Sequence, residues 1–230
     1  MVFREIKLKT DQLSTLYHFY KDILELSVSD LNDLDFTVNT TGTKLIFEET
    51  SDSLQAPFYH FAFNIPSNRI YEAYEWLKKR IDPLWIDDYK SYIADFSNWN
   101  AKSVYFLDPA GNIVEFIARA DLNDIVDEQF SSSLVRSISE IGLVFPGNNF
   151  RESIEKLMND HQLTYFIKQP PLESFCAIGN DEGLFIVVPE NRSWYPCKDK
   201  PAGIFPLEIT FSAQKGFASA EALTRRILKQ

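Results

Sequence analysis

A short alternating strand that runs into an amphipathic helix, with a Gly-preceded strand further on, recurs along this 230-residue chain. That recurrence constrains the fold more than any other feature. In the first copy, Ile6 and Leu8 alternate with Glu5, Lys7 and Lys9, the period of a half-buried strand. Asp11 is read as the N-cap of a helix that carries Leu13, Leu16, Tyr17, Tyr20, Ile23 and Leu24 on one side. Strand text resumes at Asp35–Val38 and at Gly42–Phe47. The second copy opens with Phe58–Ile65. Pro66 and Ser67 start its helix, with Ile70, Tyr74 and Leu77. Ser103–Leu107 and Ile113–Ala118 follow as a hairpin across the turn Asp108-Pro-Ala-Gly-Asn112. The third copy has a strand at Ile138–Phe145, a helix from Phe150 to about His161 and a strand at Gly183–Val188. A fourth begins at Leu207–Phe211, with a helix expected from about Ala218. The count is three and a half units. Residues 121–137, with Asp, Glu and three consecutive Ser, read as a linker between two halves.

Composition narrows the function classes. Lys and Arg total 23 against 33 Asp and Glu, a formal net charge of -10. A surface that negative disfavours nucleic acid, and no basic run offsets it. No stretch approaches the roughly 18 apolar residues of a membrane helix. The first residues alternate and lack an apolar signal core. Cys176 and Cys197 lack metal-type spacing and are expected as free thiols in a reducing compartment. The expectation is a soluble, cytoplasmic protein with no nucleic-acid or membrane partner. GxGxxG, Walker A, GxSxG and zinc-finger patterns are absent.

Two segments resemble a known family. Phe19-Tyr-Lys-Asp-Ile-Leu-Glu-Leu26 is similar to the helix end of the vicinal oxygen chelate superfamily. Val104-Tyr-Phe-Leu-Asp-Pro-Ala-Gly-Asn-Ile-Val-Glu-Phe116 resembles its strand–turn–strand hairpin. This superfamily includes glyoxalase I, extradiol dioxygenases, fosfomycin-resistance proteins and bleomycin-binding proteins. The likeness is good over residues 1–120 and rests on pattern alone over 138–230. Phe58–Phe63 and Ser103–Pro109 look most like the fosfomycin-resistance thiol transferases. The resemblance implies an α+β fold of repeated βαβββ units forming curved mixed sheets. It places paired units with a candidate metal cup in 1–120, and a degenerate, truncated second pair in 138–230.

Metal ligands in that family come from the first and last strands of each unit. Carried over by position, these are Glu5, Ile46, His60 and Glu115, with Ile46 non-coordinating. Glu5 stands where His is usual. The resemblance thus implies a divalent transition metal, Mn, Fe or Zn, held by Glu5, His60 and Glu115; the oxygen-rich set tilts toward Mn or Fe. In the second half the same positions are Glu140, Val187 and Glu208. No imidazole is among them, so no metal is expected there.

Each residue has a bland reading beside the functional one. His18 lies inside a helix, and His161 at a helix end where an imidazole is ordinary. His60 lies mid-strand between aromatics, as a core histidine also would. Glu115 is a carboxylate in an apolar strand, which demands a metal or a cationic partner. Glu5 shares a face with Lys7 and Lys9, so a solvated charged face competes with ligation. Tyr105 is the candidate catalytic acid or hydrogen-bond donor to substrate, against an aromatic core residue. Ser103 and Lys7 are the candidate substrate-binding residues. Trp85, Tyr89, Tyr92 and Trp99 form either an aromatic lid or the packing of a long loop.

The function implied is Lewis-acid chemistry on a small oxygen-rich molecule: glyoxalase-type isomerisation or lyase chemistry, ring cleavage, or thiol addition. The alternative is a metal-free protein of the same fold that binds or sequesters a small molecule. A homodimer is a candidate assembly.

Overall fold

The computed structural model describes residues 1–50, 56–212 and 221–225. Among the described residues the helices are α1 (Leu13–His18), α2 (Ile70–Lys78) and α3 (Phe150–His161). The same residues hold the strands β1 (Val2–Thr10), β2 (Asp35–Asn39), β3 (Lys44–Glu49), β4 (His60–Ile65), β5 (Ile93–Phe96), β6 (Ala101–Leu107), β7 (Ile113–Arg119), β8 (Ile138–Phe145), β9 (Cys176–Asn180), β10 (Gly183–Pro189), β11 (Leu207–Ser212) and β12 (Glu221–Arg225). No helix among the described residues is long and apolar enough to cross a membrane.

The strands form two mixed sheets, ordered β12-β11-β1-β3-β2 and β5-β6-β7-β4-β8-β10-β9. The α+β fold of repeated units is therefore present, but the units are not shared out in sequence order. Unit one joins unit four through β1 and β11, antiparallel with Ile6 opposite Ile209. Unit two joins unit three through β4 and β8, antiparallel with Ala62 opposite Glu140. The inner pair is nested within the outer one.

The alternation in β1 explains its placement. Ile6 and Leu8 point into a core, while Glu5, Lys7 and Lys9 share the wetter face. That core also takes Phe47, Phe61, Phe116, Phe185 and Phe211, so both sheets contribute to it. Phe3 meets Phe185 with ring centroids 5.4 Å apart, one contact that joins the sheets directly.

Local departures from the sequence reading have local causes. The first helix is short: α1 passes at Phe19 into a π-helical turn, Phe19–Ile23. Its cap is Gln12 rather than Asp11, and the Gln12 amide donates to Thr10 Oγ1 at 3.0 Å. The helix expected from about Ala218 begins outside the described residues, and Glu221–Arg225 is a strand on β11. Residues 121–137 are laced to α2. Arg69 donates to the carbonyls of Val126 and Glu128, and the Phe130 amide donates to Glu72 Oε2.

Candidate metal centre and cavity

The turn Asp108-Pro-Ala-Gly-Asn112 sets the geometry of the site. Gly111 takes φ +80°, a conformation that favours glycine. Asp108 accepts from the Asn112 backbone amide at 2.9 Å and from Asn112 Nδ2 at 2.7 Å. Asn112 Oδ1 in turn accepts from the amide of Tyr59 at 2.7 Å, and the Ile113 amide donates to the Tyr59 carbonyl. The turn thereby locks the start of β4 beside the start of β7. His60 falls opposite Ile113, and Ala62 opposite Glu115.

Ala62 lies between two carboxylates in the sheet, Glu115 on β7 and Glu140 on β8. Its methyl group leaves space above the sheet, and residue 60 shares that face because strand side chains alternate. His60, Glu115 and Glu140 are all buried, and their ligand atoms lie within 4.8 Å of one another. His60 Nε2 is 3.8 Å from Glu115 Oε2 and 3.9 Å from Glu140 Oε2. His60 Nδ1 is 3.1 Å from the Ile113 carbonyl oxygen, a contact that requires the proton on Nδ1.

Arg119, at the end of β7, is buried and donates through Nε to Ser139 Oγ at 2.9 Å and through Nη2 to Glu140 Oε1. Asp181 lies 3.5 Å from its Nη1, and Lys168 pairs with Asp181 at 2.8 Å. Glu140 is thus fixed by one oxygen and presents the other to His60.

The electrostatics follow from burial. Burial and the Glu140 charge push the Glu115 carboxyl up to about 7, with His60 and Arg119 opposing. Burial disfavours the His60 imidazolium, but contact with Glu140 and the Glu115 charge outweigh it, so its pKa is raised. Burial, then the charges of Glu115 and Glu140, hold the Tyr105 phenol well above its ordinary range.

A cavity of about 240 Å³ opens over this group. Phe96, Trp99, Tyr105, Phe175, Trp194 and Tyr195 line it, with Arg192 among its polar residues. Trp194 lies over His60, ring centroids 5.3 Å apart. Gly142 makes room for it: a Cβ there would come within 2.5 Å of the indole.

Of the residues singled out from the sequence, the structure brings together His60, Glu115 and Tyr105. Ser103 is buried on the Tyr105 face of β6, opposite Ile117. Glu5 and Lys7 are elsewhere. Both are half-exposed on β1 in the other sheet, where Lys7 is 4.0 Å from Glu5 and 3.9 Å from Glu208. The exchange of partners between units accounts for this, since β1 meets β11 rather than β4. Glu140, a first-strand position of the half expected to be metal-free, takes the place that sequence-order pairing gives to Glu5. Val187 faces the shared core, and Ile186 lines the cavity instead. Trp99 belongs to the cavity wall, whereas Trp85 is half-exposed. Arg119, Arg192 and Trp194 carried no signal in the sequence.

No family model matches the sequence, and no curated protein matches it. Solved structures do. A candidate dioxygenase from Bacillus subtilis subsp. subtilis str. 168 superposes with a TM-score of 0.56 at 14% identity, over 82% of this chain and 63% of that one. The chain therefore spans less than two thirds of that protein's length. A lactoylglutathione lyase from Agrobacterium tumefaciens is 22% identical over 50% of this chain and 91% of its own, with a TM-score of 0.38. A glyoxalase/bleomycin resistance protein/dioxygenase from Nocardioides is 22% identical over 56% and 87%, with a TM-score of 0.42. The chain has the vicinal oxygen chelate fold.

Proposed function

We propose that the protein is a metal-dependent enzyme of the vicinal oxygen chelate type acting on a small oxygen-bearing molecule. His60, Glu115 and Glu140 would hold the divalent ion, Mn, Fe or Zn. One observation carries the reading. With its proton on Nδ1, His60 turns the Nε2 lone pair toward two carboxylate oxygens at 3.8 and 3.9 Å. These distances are too long for hydrogen bonds and shorter than two metal–ligand bonds of about 2.0–2.2 Å end to end. Three electron-rich atoms buried together call for a cation between them. One imidazole with two carboxylates favours Mn or Fe over softer ions.

When bound, the ion supplies Lewis acidity at open positions, where adjacent substrate oxygens chelate and developing negative charge is stabilised. The remaining work falls to the chain. The Ile113 carbonyl fixes the His60 tautomer, and Arg119 aims Glu140 while neutralising part of the buried charge. Tyr105 keeps its proton, so its phenol serves as a hydrogen-bond donor to a substrate oxygen rather than as a base. The aromatic walls lower the local polarity, which strengthens the polar contacts they cover.

A metal-free binding protein is the second reading, and it has its own support: the same carboxylates favour the His60 imidazolium, which would itself be the cation. Elemental analysis after dialysis against Mn, Fe and Zn separates the two. The wild type should retain an ion and His60→Ala should lose it. Equal metal content in the two proteins, or none in the wild type, overturns the metal reading.

A further inference from the structure

Arg192 stands out in the cavity that covers the acidic group. It lies in the loop after β10, is half-buried, and lines the same cavity as His60, Glu115 and Glu140. In a chain of net charge -10, Arg192 has no carboxylate partner among the described residues. Among the described residues its side chain makes one hydrogen bond, from Nη1 to the Ser193 carbonyl at 3.3 Å. The guanidinium sits 5.4 Å from the Phe175 ring centroid, which orients it without neutralising it. By contrast Arg119, the other arginine near the cavity, is consumed by Glu140 and Asp181. Partial burial already weighs against the Arg192 charge, so an anion at this position is favoured.

The rest of the wall defines what that anion is attached to. Rings of Phe96, Trp99, Phe175, Trp194 and Tyr195 line the space, and Tyr195 Oη is buried with no hydrogen-bond partner among the described residues. A buried phenol without a partner costs stability unless a ligand or water completes it. Flat apolar walls select a flat apolar body, and a guanidinium fork matches a carboxylate through two parallel hydrogen bonds.

We infer that Arg192 is a substrate-binding and specificity-determining residue, and that the cavity takes an aromatic carboxylic acid whose carboxylate meets Arg192 near the mouth. The ring lies between the aromatic walls, and its oxygen functions face the His60–Glu115–Glu140 group. This deepens the proposed function by naming the substrate class of the same site.

Calorimetric titration of chelator-treated protein with two probes tests it. Cinnamate and cinnamyl alcohol share a ring and chain and differ in the charged end. The wild type should prefer the acid by about 10- to 100-fold, the worth of a charge-assisted bidentate contact. Arg192→Gln should reduce that preference to within about 3-fold while leaving alcohol affinity unchanged. Arg192→Lys, with charge but no fork, should keep a reduced preference. Equal affinity of the wild type for both probes overturns the inference, as does binding of neither. An undiminished acid preference in Arg192→Gln overturns it as well. Because the ratio is read without metal, a failure of metal uptake would defeat the proposed metal centre and leave this result standing.

Discussion

The Tyr20 hydroxyl donates to Asp108 Oδ2 at 2.7 Å, across 88 residues and entirely inside the protein. Tyr20 belongs to the Phe19-Tyr-Lys-Asp segment of unit one, and Asp108 opens the turn of unit two. The two segments that carry the family resemblance are thus halves of one contact. Tyr20 also stacks on Phe47, ring centroids 5.2 Å apart, so the hydroxyl arrives on a rigid ring. From Asp108 the chain of contacts runs through Asn112 to Tyr59, the residue before His60.

Tyr20→Phe keeps the ring and removes the donor. Asp108 then loses one of its buried partners, and urea denaturation should show a loss of about 1–3 kcal/mol. Metal or ligand affinity should fall by less than in Asn112→Ala, which frees the Tyr59 amide beside the site. Equal stability of Tyr20→Phe and wild type would show that the contact contributes nothing.

Asp108 also gives a pH dependence. Burial pushes its carboxyl up from 3.8 to about 6, against the opposing hydrogen bonds from Asn112 and Tyr20. The folded state then holds a proton that the unfolded state has released. The contribution is fully present below pH 3.8 and is lost as pH rises to about 6. Roughly two units correspond to about 3 kcal/mol at most. Asp108→Asn should flatten this part of the stability profile, measured by denaturation at intervals between pH 4 and 7. A slope in the variant equal to that of the wild type would assign the effect to other groups.

How much of this was legible in the sequence depends on range. The strand and helix periods of units one to three are local, and β1, β4, β7, β8, β10 and α3 fall close to where alternation places them. His60 and Glu115 are legible because a charged or polar residue interrupts an apolar strand. The partners of each unit are not. Whether β4 meets β1 or β8 is decided by long-range packing that no window of residues contains, and Glu140 enters the site only through that choice. Val187 shows a finer limit. Counting four residues from Gly183 copies the spacing from Gly111 to Glu115, but Leu184 lies opposite Glu140 in the actual register. A slip of one residue turns a strand side chain to the other face.

Arg119 and Glu140 form a buried ion pair, so removing one partner should cost far more than removing both. Arg119→Met leaves Glu140 beside Glu115 with only His60 to offset the two carboxylates, and about 3–5 kcal/mol of stability should be lost in metal-free protein. Arg119→Met with Glu140→Met should recover most of it. A double variant no more stable than Arg119→Met would show that the pair is not coupled.

Gly142→Ala should act on the cavity through Trp194. The added methyl meets the indole at 2.5 Å, so the ring must move off His60 or the strand must shift. Such overpacking costs about 1–3 kcal/mol. The expected result is a red shift in tryptophan emission at unchanged secondary structure, with weaker binding of aromatic probes. An unchanged spectrum and unchanged probe affinity would mean that Trp194 has room the structure does not show.

The last prediction sets Glu140 against Glu5. Both are first-strand carboxylates at equivalent positions of the repeat, and only the exchange of unit partners distinguishes them. If the ion sits between His60, Glu115 and Glu140, saturating Mn or Zn should raise the melting temperature of the wild type, since linkage stabilises the folded state by about 2.7 kcal/mol at a hundred times the dissociation constant. Glu140→Gln should lose most of that metal-dependent rise, because a neutral amide is a poorer ligand and leaves one fewer negative charge. Glu5→Gln should keep it in full, since Glu5 is half-exposed beside Lys7 in the other sheet. Thermal melts of the three proteins with and without metal make the comparison. A metal-dependent rise abolished in Glu5→Gln and retained in Glu140→Gln would return the site to the outer sheet and remove the inner cavity from the mechanism.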